Sequence, residues 1–321
     1  MNRTQIEWCD YTWNPVTGCK HGCPYCYARR MAKRLAGRAG YPADDPFRPT
    51  FHPDRLEEPL KVKEPSVIFV CSMGDLFGAW VDLEWIDQVM QVIAKAHWHT
   101  FIVLTKDPRV MAEYALLRRW NRDTRTYLPD NLWVGSSIDR ALSASRTRKV
   151  AYVRHHKKFV SIEPILGDVA GDPTFDLRGL QWVIVGAQTG PGAVPPKPHW
   201  VDRVVTKCME AGVPFFIKDN VPWEGTRPQM GPEGMPEQPR RGLKPMPVHG
   251  THAPKAGTED TTKALSTSDP PPAGGAPDSA AGNVPPRVSP DARSLDDTGQ
   301  QHRDTPPPAD PPPPEEEPTD E

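Results

Sequence analysis

Between Val67 and Lys218 short apolar runs alternate with stretches of helical period, and this alternation constrains the fold more than any other feature of the chain. Val67–Cys71, Thr100–Thr105, Leu132–Ser137, Lys158–Glu163, Leu180–Gly186 and Val213–Lys218 read as strands, and Gln5–Trp8 as a short first one. Helical spacing predicts helices over Leu83–Ala96, Val110–Trp120, Ser143–Arg154 and Trp200–Ala211, the last stopped by Gly212. The segment between Glu163 and Leu180 is too poor in periodicity for a helix. Continuous apolar strands joined by helices imply a parallel sheet buried on both faces. The expected class is therefore α/β, a partial or complete parallel β/α (TIM-like) barrel, with a doubly wound open sheet as the alternative. Either architecture places ligands at the carboxyl ends of its strands. Ser72–Asp75, Thr105–Asp107, Gly135–Asp139, Ser161–Pro164, Gly186–Gly190 and Lys218–Asn220 fall there, small and polar with a charge or an amide in each. They read as the mouth of an active site.

Composition sets the limits of this folded part. Over half of the 40 prolines lie beyond Arg227, and no Trp, Tyr or Phe follows Gly250. From Gly250 to the end five Lys/Arg stand against fourteen Asp/Glu, a balance of −9 that leaves +7 on the residues before it. A segment so short of apolar surface cannot offset its ordering entropy. The expected division is a barrel domain over 1–225 and a disordered, proline-rich, acidic tail over 226–321. No run approaches the length of a membrane span, and Met1–Trp8 lacks the apolar core of a signal peptide. Six cysteines, half of them clustered, do not make a secreted disulfide framework. The expected setting is a reducing cytoplasm, with no membrane partner.

The clustered half is Thr17–Tyr27, where Cys19, Cys23 and Cys26 have the spacing C-x3-C-x2-C. Gly18, Gly22 and Pro24 let the backbone wrap tightly, and three thiolates from one loop suit a soft metal centre. An iron–sulfur cubane normally takes four cysteines, so three would leave one iron open. The rival is a closed zinc site with Cys9, His21 or a distant residue as fourth ligand, although the chain has no second C-x2-C or H-x3-H cluster. Cys71 and Cys208 lie on apolar patterns and read as core thiols.

With an aromatic residue, Tyr25, directly before the third cysteine, this loop resembles the cluster loop of the radical S-adenosylmethionine (SAM) enzymes. Ile6–Trp8, Thr12–Cys19, Ser72–Phe77, Leu104–Lys106, Ser161–Pro164, Trp182–Gly186 and Pro214–Lys218 resemble, more closely, a divergent group of phage and bacterial proteins carrying a domain of unknown function. The resemblance covers roughly residues 4–220. It implies that Cys19, Cys23 and Cys26 bind a [4Fe–4S] cluster whose open iron SAM chelates. One electron then cleaves SAM to a 5′-deoxyadenosyl radical that abstracts hydrogen from a substrate. It further implies that Tyr25 lies on the adenine side of SAM and that Ser72–Asp75 replaces a glycine- and glutamate-containing motif for the SAM amino group, with Asp75 as candidate. Ser136 and Ser137 are candidates for the SAM carboxylate or ribose. Glu163, Gln188, Lys106 and Lys218 are candidates on the SAM or substrate side. The implied partner is a low-potential electron donor of flavodoxin or ferredoxin type.

The substrate is open, with nucleic acid or a nucleotide favoured by the +7 balance and by the basic stretches Arg118–Arg122 and Arg146–Lys158. Such stretches are also ordinary solvated helix faces, as is the basic flank Arg29, Arg30, Lys33 and Arg34. The second reading of the whole is a zinc-binding, non-catalytic adaptor of phage or mobile-element origin.

Overall fold

The computed structural model describes residues 1–118 and 128–233. The chain divides into two compact units, Met1–Thr251 and His252–Glu321; the second lies outside the described residues, as does the expected tail from 234 onward.

The chain forms ten strands and five helices among the described residues. They are β1 (Asn2–Arg3), β2 (Tyr11–Trp13), β3 (Val16–Thr17), α1 (Tyr27–Arg34), β4 (Thr50–Phe51), β5 (Val67–Val70), α2 (Leu83–Lys95), β6 (Thr100–Thr105) and α3 (Pro108–Leu117). Then follow β7 (Leu132–Ile138), α4 (Arg146–Ala151), β8 (Lys158–Ile162), β9 (Trp182–Val185), α5 (Pro198–Ala211) and β10 (Phe215–Ile217). One sheet has the order β1-β2-β5-β6-β7-β8-β9-β10, and β3 pairs with β4 beside it. Within the eight-stranded sheet all pairings from β2 to β10 are parallel and only β1 is antiparallel, as is the separate β3–β4 pair. The sheet order follows chain order without a reversal, which excludes the doubly wound alternative. Its terminal strands β1 and β10 do not pair among the described residues.

Two departures from the sequence reading have local causes. The parallel run begins with β2, Tyr11–Trp13, and Gln5–Trp8 forms no strand. An aromatic and β-branched triplet suits the pleat beside β5, whereas Trp8 lies in a turn and packs on Phe69 and Trp182. The helix expected over Ser143–Arg154 is limited to Arg146–Ala151. Ser143 Oγ instead takes the amides of Asp139 and Arg140 at 3.0 and 3.2 Å, a side-chain turn that competes with helix. The segment between β8 and β9 carries no helix, in line with its weak periodicity.

The period-2 pleat separates two apolar layers. Ile68, Phe101, Val103, Val134, Val160, Val183 and Val185 point toward the helices, where Ile86, Val89, Met111, Val150, Val204 and Cys208 cover them. The alternate residues Val67, Ile102, Trp133, Phe159, Trp182 and Phe216 converge on Trp8 inside the curve of the sheet. Gly135 makes room there: a Cβ on it would stand 2.4 Å from the Phe159 ring. Residues 228–230, on the tail side of the expected boundary, pair with β10 through Ile217 N–H to Pro228 O at 2.8 Å and Met230 N–H to Phe215 O at 3.1 Å. Trp182 Nε1–H donates to Met230 O at 2.8 Å.

Much of the basic stretch Arg146–Lys158 is used internally. Arg146, Arg148, Lys157 and Lys158 donate to the carbonyls of Ser137, Pro173, Asp130 and Ala151. His155 bonds Leu132 O at 2.6 Å through Nε2, and its buried Nδ1 has no partner. Of the other stretch, residues 119–122 lie outside the described residues. Burial, the largest cause, holds His155 down to about 4 from 6.5. The unfolded chain therefore binds a proton there that the folded chain refuses, so stability must fall as pH drops from 6.5 toward 4. His52, also held at about 4 chiefly by burial, acts in the same window. Thermal denaturation followed by circular dichroism should show that loss, and His155→Gln, which keeps a donor for Leu132 and does not titrate, should make it shallower.

Candidate functional site

The cysteine loop begins on β3 and ends in α1. Gly18 has φ 86°, and a Cβ there would stand 2.2 Å from the Arg48 carbonyl, so both the left-handed turn and the close approach require glycine. Its N–H donates to Met73 O at 2.9 Å, and the Cys19 N–H to Phe47 O at 3.1 Å. Gly18 also bridges to Gly74, which joins the loop to Ser72–Asp75. Cys26 is the N-cap of α1, its Sγ accepting the Arg29 N–H at 3.3 Å. Cys19, Cys23 and Cys26 are outside any disulfide and half-buried, and all three line a cavity of about 920 Å³ at the carboxyl ends of the strands. Burial pushes the Cys19 thiol up to about 12, with Asp75, Cys23 and Cys26 adding to the rise and the His21 N–H opposing it. Such a thiol keeps its proton near neutrality unless a cation displaces it.

Three groups of side chains surround the loop. Asp75, 4% exposed, bonds His21 Nε2 through Oδ2 at 2.8 Å. It also accepts the Lys106 N–H at 2.9 Å and the Phe77 N–H at 3.1 Å. The His21 ring stands edge-on to Trp80 at 4.8 Å. Tyr25 donates its hydroxyl to Asp139 Oδ2 at 2.5 Å and accepts from Lys106 Nζ, which lies 3.5 Å from Asp139 and 4.9 Å from the Tyr25 ring centre. Burial, then the bond to Asp139 and its charge, pushes the Tyr25 phenol well up. Burial alone would raise Asp139, but the Tyr25 hydroxyl, Lys106, Ser143 and Arg140 outweigh it and hold the carboxyl below its usual range. The third group is Asn14, whose Oδ1 takes the Ser72 hydroxyl at 3.2 Å and the Met73 N–H at 2.8 Å. Tyr27 donates to Ser72 O at 2.6 Å.

On the other wall Glu163 reaches across Gly186 to Lys218, Oε1 to Nζ at 2.5 Å. A Cβ on Gly186 would stand 2.7 Å from Glu163 Cδ. Burial alone would lower Lys218, yet Glu163, Glu7 and Cys9 together raise it and keep the ammonium charged. Glu7 is raised chiefly by burial, and its Oε2 is a buried atom without a hydrogen-bond partner.

Of the residues singled out from the sequence, Cys19, Cys23, Cys26, Tyr25, Ser72, Asp75, Lys106, Glu163, Gln188 and Lys218 all line the cavity. Ser136 and Ser137 do not. Ser136 is fully buried on the helix side of the sheet and donates to Thr105 O at 2.9 Å. Ser137 pairs in register with Ser161 on the inner side, and of the two only Ser161 reaches the cavity. The sequence reading assigned no role to Asn14, Glu7 or Asp139, although Asp139 ends a strand and Asn14 lies five residues before Cys19. Among the described residues no three His, Cys, Asp or Glu side chains stand close enough to share one metal ion. A cubane makes a different demand, since each cysteine meets its own iron.

Fold and site together define an α/β protein with a mostly parallel eight-stranded sheet whose strand ends and cysteine loop enclose a cavity. The chain belongs to the family described as Protein of unknown function (DUF5131), whose profile matches residues 3–268. This agrees with the expected kinship to a domain of unknown function. No curated protein matches the chain. Among solved structures it is similar to a double mutant of spore photoproduct lyase with bound AdoMet and dinucleoside spore photoproduct, at 12% identity and TM-score 0.39 over 64% of this chain and 62% of that one. It is also similar to a cysteine-to-serine mutant of the same enzyme, at 15% identity and TM-score 0.39 over 64% and 63%. The likeness thus spans less than two thirds of those chains.

Gly186→Ala tests how the far wall is built. The added methyl should push Glu163 off Lys218 and cost about 1–3 kcal/mol, as overpacking does. Urea denaturation should read that loss, and an unchanged midpoint would contradict the close fit.

Proposed function

We propose that this protein is a radical SAM-type enzyme. One observation carries the reading: three cysteines from a single eight-residue span line one cavity at the carboxyl ends of a parallel sheet. The donor set fits a [4Fe–4S] cluster. Thiolates are its ordinary ligands, the Arg29 amide meets Cys26 Sγ, and the His21 amide meets Cys19. Cys19, Cys23 and Cys26 would hold three irons and leave the fourth for SAM. When bound, cluster and SAM supply one-electron reductive cleavage of SAM to a radical that abstracts hydrogen from the substrate. The chain's own residues build the surroundings for that step. Tyr25 presents a ring fixed by its hydroxyl, while Asn14 and Tyr27 fix the Ser72–Met73 backbone beside the cysteine loop. Trp8, Phe69 and Leu104 give the cavity an apolar floor that excludes water. The proposal includes a low-potential electron donor of flavodoxin or ferredoxin type and a cytoplasmic setting. Among the described residues no helix is long and apolar enough to cross a membrane.

Anaerobic reconstitution tests this reading. About four irons and four sulfides per chain are expected, with dithionite-dependent release of 5′-deoxyadenosine from SAM. Cys23→Ala should abolish cluster loading, and Cys208→Ala, in the helix-side core, should leave it intact. One tightly bound zinc with no SAM cleavage would instead establish the adaptor.

For the substrate we propose nucleic acid or a nucleotide, supported by the +7 balance before Gly250. The Arg146–Lys158 stretch adds less than its composition promised, because several of its cations serve internal carbonyls. Binding to DNA or RNA should weaken steeply with salt; a flat response overturns this assignment.

A further inference from the structure

From Lys20 through Cys26, main-chain hydrogen bonds stay within the loop and α1 among the described residues; the last amide tied to another segment is that of Cys19. Cys23 therefore sits in a stretch whose backbone is not laminated onto the sheet. Two side chains flank it symmetrically, His21 two residues before and Tyr25 two residues after. His21 is held by Asp75 at 2.8 Å, and Tyr25 by Asp139 at 2.5 Å and by Lys106.

Both tethers end on one residue. The Lys106 amide donates to the Asp75 oxygen that holds His21, at 2.9 Å. Its ammonium bonds the Tyr25 hydroxyl, lies 3.5 Å from Asp139, and faces the Tyr25 ring. Lys106 and Asp139 are only 15% and 14% exposed, so water screens this contact weakly. β6 ends in Thr105, so the anchor directly follows the carboxyl end of an interior strand of the sheet.

We propose that Lys106, with Asp75 and Asp139, is the positioning residue that places Cys23, tethering the loop at His21 and Tyr25 before any metal arrives. The inference rests on the cluster reading for its purpose and not for its geometry. A free loop of this glycine content would lose considerable entropy on closing around a cluster; two tethers remove that cost in advance, as outer-shell partners do for metal ligands.

The test uses the full chain, both metal-free and reconstituted, with His21→Ala, Tyr25→Phe and their double variant. Amide hydrogen exchange of the metal-free protein should accelerate about tenfold over residues 20–25 in the double variant, with β6 and β7 unchanged. Iron retained on reconstitution with ferrous iron and sulfide should weaken about tenfold or more. Lys106→Met should reproduce Tyr25→Phe, and Lys106→Arg should restore the wild-type exchange. Unchanged exchange over residues 20–25 overturns the proposal, as does iron retention equal to wild type in the double variant. If the wild-type chain itself takes up no iron, the cluster reading fails and hydrogen exchange alone still decides whether the tethers hold the loop.

Discussion

Asp75 carries a charge out of water and then uses both of its oxygens. A buried carboxylate is expensive unless donors replace its solvation, and here the replacements come from three directions. The His21 ring, the Lys106 amide and the Phe77 amide all converge on it. The first lies in the cysteine loop, the second just beyond β6 and the third in the turn after β5. One side chain thus fixes the relative position of two strand ends and the loop above them. Asp75 had been expected to meet the SAM amino group. Its oxygens accept three donors of the chain itself, and these bonds hold the wall in place.

The pleat of the sheet decides which strand-end residues reach the cavity. In a parallel sheet neighbouring residues in register point to the same side. Ser137 and Ser161 face inward in one row, and Ser136 and Val160 face the helices in the next. A reading that knows only that Leu132–Ser137 is a strand cannot choose between Ser136 and Ser137, because a slip of one residue exchanges the faces. The apolar runs made β5 to β10 legible, and the C-x3-C-x2-C spacing made the loop legible. What stayed hidden was pairing at long range. Asp139 is 114 residues from Tyr25, and Asn14 is 58 and 59 residues from Ser72 and Met73. The first strand was misplaced for a related reason. Ile6 and Trp8 alternate like strand residues, but Trp8 is apolar because it packs inside the curve of the sheet.

Both lysines that face the cavity are paired, whereas Arg55 on the same wall bonds the carbonyls of Asn14 and Ala39. Lys106 is matched by Asp139 and Lys218 by Glu163, with Glu7 close to the second pair. The positive balance of the chain before Gly250 is therefore not concentrated on the cavity walls. Among the described residues, Lys106 and Lys218 could meet a polyanion only by giving up a carboxylate, and breaking a partly buried pair costs more than breaking an exposed one. Paired charges of this kind also suit radical chemistry, because their donors and acceptors are already satisfied and the wall need not rearrange when a ligand excludes water.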